Sequence, residues 1–209
     1  MSVKFKPGIS LIIPSYQGRT RLALCLNSVF QQTITHELFE IIIIINGADD
    51  GSRAYLQDLA RQHPKYSLVS YYTPLAGVSH ARNIGVHNAQ HEFIAFLDDD
   101  DQISENYLAA LLKYSDSEAL TLCQLQNVQS QCAANCFHRS YQRQAMTATP
   151  VLTDAQLVAA SQVRKWAAII TVMRVITMNA CKLVPTKYMQ QFSFDTNLTL
   201  DTAFLEHLT

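Results

Sequence analysis

The sequence has no surplus of charge of either sign: 16 Lys and Arg stand against 17 Asp and Glu, a formal net charge of −1. A chain without a basic field has little with which to grasp a phosphate backbone, so no nucleic-acid partner is expected. Long apolar runs are also missing. Ile41 to Ile45 and Trp166 to Met173 are the most apolar stretches, and both fall far short of the roughly 20 residues that cross a bilayer. Met1-Ser-Val-Lys-Phe-Lys-Pro7 carries charge but no following apolar segment of signal-peptide form, which makes a cytoplasmic protein the expectation. A disulfide framework is not indicated, because five irregularly spaced cysteines (Cys25, Cys123, Cys132, Cys136, Cys181) suit reduced thiols. Cys132, Cys136 and His138 have loosely zinc-like spacing but no fourth ligand, and small buried thiols are the better reading. No shift of composition divides the 209 residues, and 48% hydrophobic content is enough for one domain with a substantial core.

What the sequence does contain is an alternation of short apolar runs with helical stripes. Ile9 to Ile13 reads as a strand, stopped by Pro14-Ser15-Tyr16-Gln17-Gly18. Leu22, Cys25, Leu26, Val29 and Phe30 then recur at helical spacing. Glu40 to Ile45 is β-branched without polar alternation, as in a central parallel strand. The turn Asn46-Gly47-Ala48-Asp49-Asp50-Gly51-Ser52 leads into a helix over Ser52 to Gln62, and Ser67 to Tyr72 is a third strand. Gly77 to Ala89 is helical, with Ala81, Gly85 and Ala89 forming a stripe of small residues for close packing, while Arg82 and Asn83 lie off the stripe and are expected to reach a ligand. This βαβαβ rhythm predicts a single-domain α/β fold, a doubly wound, mostly parallel sheet with helices on both faces.

The chain is organised around a fourth strand and its acidic end. Phe93 to Leu97 is an apolar run suited to a strand covered on both faces, and it ends in four carboxylates, Asp98 to Asp101. Nothing in the adjacent sequence neutralises them. In open α/β sheets ligands bind at the carboxyl ends of the strands, and hard cations take oxygen ligands, so the cluster is placed for Mg²⁺ or Mn²⁺ together with the phosphates of a nucleotide. A plainer role is to open the next helix, with Ser104 capping Glu105 onward, and Asp101 can do only that.

Beyond the aspartates, Tyr107, Leu108, Leu111 and Leu112 repeat helically and Leu120 to Gln126 can be a strand. Gln129 to Thr149 is polar and aperiodic, which predicts a long loop or irregular hairpin, either a lid or a surface excursion. Asp154 to Ser161 reads as a short helix. Val163 to Met178 is apolar with Trp166 and the cations Arg164, Lys165 and Arg174; a core element with three solvated charges is the commoner arrangement, and peripheral contact with a membrane surface is the alternative.

Ile12-Ile13-Pro14-Ser15-Tyr16, the Asn46 to Ser52 turn, Ala81-Arg82-Asn83-x-Gly85 and Phe96-Leu97-Asp98-Asp99-Asp100-Asp101, in that order, resemble the motifs of the family 2 glycosyltransferases. The resemblance covers about the first half of the chain. In the second half, Ala180-Cys181-Lys182-Leu183 looks like the family's acceptor-side strand, and Phe194-Asp195 with Leu200-Asp201 looks like the segment bearing the base.

The resemblance implies a GT-A-like nucleotide-binding fold over residues 1–209, with a donor half (1–101) and an acceptor half (102–209). It implies an inverting transfer of a sugar from a nucleotide-sugar to a saccharide or lipid-linked acceptor, in polysaccharide or glycoconjugate synthesis. Pro14 and Tyr16 would line the base and Arg82 would lie near the nucleotide. Asp98 and Asp99 would stand on the donor side, Asp100 would hold Mn²⁺ or Mg²⁺, and Asp201 would be the general base. Two positions depart from the family. Ile45 stands where an acidic residue usually recognises the base, so Asp49 or Asp50 is expected to fold back and keep a UDP-sugar as donor, or else base selectivity is weak. Leu200 precedes Asp201 where the family usually has an acid. A sugar nucleotidyltransferase would carry a multi-glycine basic loop after the first strand, where this chain has Gly18-Arg19; a non-catalytic nucleotide-sugar-binding module is the other alternative. After Asp201 only about two helical turns remain, so the chain is expected to be the catalytic portion of a longer protein.

Overall fold

The computed structural model describes residues 5–118, 120–122, 126–127, 141–143, 149–151, 182–194 and 196. Four strands, β1 (Lys6–Ser15), β2 (Phe39–Asn46), β3 (Ser67–Thr73) and β4 (His91–Phe96), pair in parallel in the order β3-β2-β1-β4. On the other side of β4 lies β10 (Lys182–Pro185), antiparallel to it, followed by β6 (Leu120–Leu122) and β9 (Thr149–Val151). Among the described residues this sheet has seven strands and is mostly parallel. A second sheet of three short strands joins β5 (Gln102–Ile103), β8 (Tyr141–Arg143) and β7 (Gln126–Asn127).

The apolar runs lack polar alternation because both faces are covered. Along β1, β2 and β4, the odd-numbered Leu11, Ile13, Ile41, Ile43, Phe93 and Ala95 share one core with α1 (Arg21–Phe30), α2 (Ser52–Gln62) and α4 (Tyr107–Lys113). The even-numbered Ile12, Ile42, Ile44, Ile94 and Phe96 share another with α3 (Val78–Asn88), Met189 of the short α5 (Thr186–Met189), and Phe194. The period of two thus assigns each residue a face. The small stripe on α3 works as expected: a Cβ on Gly85 would lie 2.4 Å from Ile12 Cγ2 and 3.0 Å from Ile44 Cδ1.

Three polar side chains interrupt this core at the amino ends of the strands. Ser10 Oγ donates to Glu40 Oε1 at 2.6 Å, the Gln90 amide donates to the same oxygen at 2.8 Å, and His91 Nδ1 lies 3.1 Å from it. The residues come from β1, β2 and the start of β4, so the cluster stitches three adjacent strands.

Most element boundaries follow the sequence closely; four expectations change. Leu120 to Gln126 is not one strand but contributes to β6 and β7, in different sheets. Tyr141–Arg143, inside the stretch expected to be loop or hairpin, pairs antiparallel with β7 and parallel with β5. Ser104 does not cap α4. Its hydroxyl donates to Asn106 Oδ1, and the Leu108 amide is capped by Gln32 Oε1 from just beyond α1. Asn83 is not a ligand-reaching side chain, because both ends of its carboxamide bond the backbone of Phe194. The expected helix over Asp154 to Ser161, the Val163 to Met178 segment, the Cys132, Cys136 and His138 cluster, and Asp201 lie outside the described residues. Among the described residues no helix is long and apolar enough to cross a membrane.

Candidate active site

A cavity of about 780 Å³ opens at the carboxyl ends of the parallel strands. Its walls include Pro14 and Tyr16 from the end of β1, Asn46 from β2, the Leu75 to His80 segment that starts α3, and Asp98, Asp99, Arg21 and Thr196. Pro14, Tyr16, Asn46 and Asp98 are all even-numbered, so strand parity turns them to the α3 side where the cavity lies.

The turn that follows β4 separates the aspartates. Asp98 turns towards α3, where Arg82, itself buried, donates from Nη2 to its Oδ1 at 3.2 Å. Asp99 turns towards α1. Its Oδ2 accepts from Ser15 Oγ at 2.6 Å and from Arg21 Nη2 at 3.0 Å, and its Oδ1 accepts from Arg21 Nε at 3.1 Å. This fork-to-carboxylate pairing holds the Arg21 guanidinium above its ordinary pKa, chiefly through the hydrogen bond with Asp99. The aspartates, without a neutralising neighbour in sequence, are therefore met in space by two arginines. Asp100 keeps the opposite character. Loss of hydration, then the charges of Asp98 and Asp99, push its carboxyl above the usual range, against a smaller opposing effect of Arg21. Asp101 is buried beneath the turn, its amide donating to Asp98 O at 3.0 Å.

Arg21 does more than neutralise Asp99. Its Nη2 also donates to Tyr16 O at 2.9 Å, so one guanidinium joins the aspartate turn to the loop that presents Tyr16. That loop passes so close that a Cβ on Gly18 would lie 2.0 Å from Asp99 Oδ2 and 2.2 Å from Ser15 Oγ. Asn46 braces the other side, donating from Nδ2 to Ser15 O at 2.9 Å and accepting at Oδ1 from the Gly77 amide at 3.0 Å.

The sequence-predicted residues are thus partly gathered. Pro14, Tyr16, Asp98 and Asp99 line the cavity, and Arg82 supports it from below. Asp49 and Asp50 are turned elsewhere: Asp49 Oδ1 accepts from the Gly51 and Arg53 amides, and Asp50 accepts from the Ser52 amide and hydroxyl and from the Arg19 amide. Burial would raise the Asp50 pKa, but these hydrogen bonds, led by the Ser52 hydroxyl, outweigh it and lower the value. The two carboxylates cap α2 and do not lie among the cavity walls. Ile45 belongs to the core on the α1 side, and Asn46 is the strand-end residue that faces the cavity. Sequence reasoning missed Ser15, Arg21, Asn46 and His80. A signal existed for Arg21, since a cation at the first position of a helix opposes the macrodipole and needs a partner.

Among the described residues no three His, Cys, Asp or Glu side chains are arranged to surround a metal ion. One or two carboxylates plus substrate phosphates suffice for Mg²⁺, and the exposed Asp100, two residues after Asp98, is of the donor type that such a site uses.

The family description "Glycosyl transferase family 2" matches residues 10–161, from β1 through the aspartates and beyond. The chain belongs to glycosyl transferase family 2. Among relatives of this family 2 chain, the minor teichoic acid biosynthesis protein GgaB of Bacillus subtilis is 31% identical over 112 residues, covering 54% of this chain and 12% of GgaB. S. aureus TarS superimposes with a TM-score of 0.68 at 20% identity, covering 95% of this chain and 33% of TarS. The mannosyltransferase PcManGT of Pyrobaculum calidifontis, solved with GDP-Man and Mn2+, gives a TM-score of 0.64 at 15% identity, covering 95% of this chain and 50% of PcManGT. At these identities the two structures establish the fold of the family 2 chain, which is GT-A-like. The chain spans a third or less of the length of GgaB and TarS.

Proposed function

We propose that the chain is the catalytic part of a metal-dependent, inverting glycosyltransferase that takes its sugar from a nucleotide-sugar, a UDP-sugar being favoured, for polysaccharide or glycoconjugate synthesis. The observation that carries the reading is the cavity itself, lined by the apolar and aromatic Pro14 and Tyr16 together with the carboxylates of Asp98 and Asp99, which Asp100 directly follows in the chain. An aromatic ring suits a nucleobase and a carboxylate turn suits a metal-bound diphosphate, so the two kinds of lining match the two ends of one ligand. TarS has been solved with UDP and with UDP-GlcNAc, and PcManGT with GDP-Man and Mn2+, which supports a nucleotide-sugar as donor. GgaB, a teichoic acid biosynthesis protein, supports a polymer as product.

In this reading Tyr16 packs on the base, and Arg21 and Asn46 hold the walls that position it. Asp98, oriented by Arg82, binds the ribose or sugar side. Asp100, with the donor's phosphates, would hold Mn²⁺ or Mg²⁺, whose charge would offset that developing on the departing nucleoside diphosphate. Asp201 takes the proton of the acceptor hydroxyl, a role that rests on its motif position alone. Calorimetric titration of UDP with and without Mn²⁺ tests the proposal. Wild type is expected to bind much more tightly with Mn²⁺, and Asp100→Ala to lose that difference while remaining folded. Equal affinity in the presence and absence of the metal would exclude the metal assignment.

A further inference from the structure

We infer that Asn83 is a positioning residue that, by holding Phe194, keeps Thr196 at the wall of the cavity, so that it governs the sugar end of a bound nucleotide-sugar and not the nucleotide end. The inference rests on the glycosyl-transfer reading. Asn83 Nδ2 donates to Phe194 O at 2.9 Å, and the Phe194 amide donates to Asn83 Oδ1 at 2.7 Å, across 111 positions of sequence. A carboxamide that exchanges both hydrogen bonds with one residue imitates a pairing strand and fixes that peptide in place and in orientation. Truncating it would remove both of these hydrogen bonds at once.

The clamped residue is continuous with the site. The buried Phe194 ring stands edge-on to Phe96, with centroids 5.5 Å apart, and Phe96 ends the strand that delivers Asp98. The Arg82 guanidinium, bonded to Asp98, lies 5.8 Å from the Phe194 ring centre and 6.0 Å from that of Phe96. Thr196, just beyond the clamp, contributes to the cavity wall beside Asp98 and Asp99. The topology sets which end of a ligand this wall meets. Asn46 and Leu75 to Gly77 come from the β2 and β3 side of the sheet, whereas Phe194 packs on Phe96 of β4, the strand that runs into Asp98. The clamp therefore acts at the β4 end of the cavity, where Asp98 stands, away from the β2 and β3 side.

The test compares wild type with Asn83→Ala and Asn83→Asp; the second keeps an acceptor for the Phe194 amide but sets a carboxylate against the Phe194 carbonyl. The probes are UDP and whichever of UDP-glucose, UDP-galactose and UDP-GlcNAc binds wild type most tightly, all with Mn²⁺. Donor hydrolysis or transfer and hydrogen exchange at the Phe194 amide are measured in parallel. Both variants should bind UDP within about twofold of wild type yet lose at least about tenfold in UDP-sugar affinity or turnover, with faster Phe194 exchange in Asn83→Ala. If Asn83→Ala does not fold, Asn83→Asp carries the comparison. Unchanged sugar affinity and turnover despite faster exchange would overturn the inference. So would an equal loss of UDP and UDP-sugar, the mark of general damage. A wild type that binds UDP but gains nothing from any sugar would also overturn it, alone. A wild type that binds no nucleotide would instead bring down the glycosyl-transfer reading, and it is told apart because the failure precedes any substitution.

Discussion

Asp99 illustrates how one carboxylate in a run of four acquires a separate task. With both oxygens bonded to Ser15 and Arg21, it fixes the turn from which Asp98 and Asp100 project. Asp99→Ala would strand the Ser15 hydroxyl and the Arg21 fork in a part-buried place, and should cost about 1–3 kcal/mol in urea denaturation. Ile45 gives a contrasting case. Replacing it with aspartate restores the acid that the family usually carries at that position, but the side chain faces a core shared with α1, α2 and α4. Ile45→Asp should destabilise the fold by about 3–5 kcal/mol, as an unpaired buried charge does, and should not sharpen base selectivity. Thermal melts together with UDP and GDP titrations would show a folded, UDP-selective variant if this assignment of faces were wrong.

At the level of elements, α3 carries the site's alignment. Its amino end forms part of the cavity wall, its middle holds Arg82 under Asp98, and its seat on β1 and β2 depends on the missing side chain of Gly85. Alanine is the better helix former by about 1 kcal/mol, yet its Cβ would press on Ile12 in the middle of the sheet, where nothing can move aside. Gly85→Ala should therefore lose about 1–2 kcal/mol net and weaken nucleotide binding by tilting the helix. A stabilised variant with unchanged affinity would contradict that seat.

For the whole molecule, the Glu40 cluster ties β1, β2 and β4 together at the end opposite the cavity. Burial alone would raise the Glu40 pKa, but the hydrogen bonds from His91, Ser10 and the Gln90 amide together lower it. A carboxyl whose folded pKa lies below its unfolded value releases protons on folding, so its contribution is complete above the ordinary carboxylate range. That contribution fades as pH falls through the lowered folded value. Chemical denaturation from pH 7 to pH 3 should show stability declining with acid, and Glu40→Gln should flatten part of that decline. Asp100 has the opposite sign: raised on folding, it weighs against the folded state at neutral pH without a cation. Asp100→Asn should accordingly raise the melting temperature at pH 7 in metal-free buffer, and that gain should shrink at acid pH.

Sequence by itself determined the α/β architecture, because uninterrupted β-branched runs require a sheet covered on both faces and the Leu22, Cys25, Leu26, Val29 stripe requires a helix on one of them. It also determined that the carboxylates come directly after the fourth strand, since local order along the chain is what motifs record. Tertiary structure decided which aspartate does what. The turn after β4 presents Asp98 to Arg82 and Asp99 to Arg21, and neither arginine is near in sequence. It also decided that Asn46 faces the cavity while Ile45 does not, and that Asp49 and Asp50 serve the start of α2. Asn83, read from a helical wheel as free to meet a ligand, meets Phe194 instead. The physical reason is common to all of these. A side chain's face and its distant partner depend on strand pairing and helix docking, and these bring together residues whose separation in the chain carries no local signal.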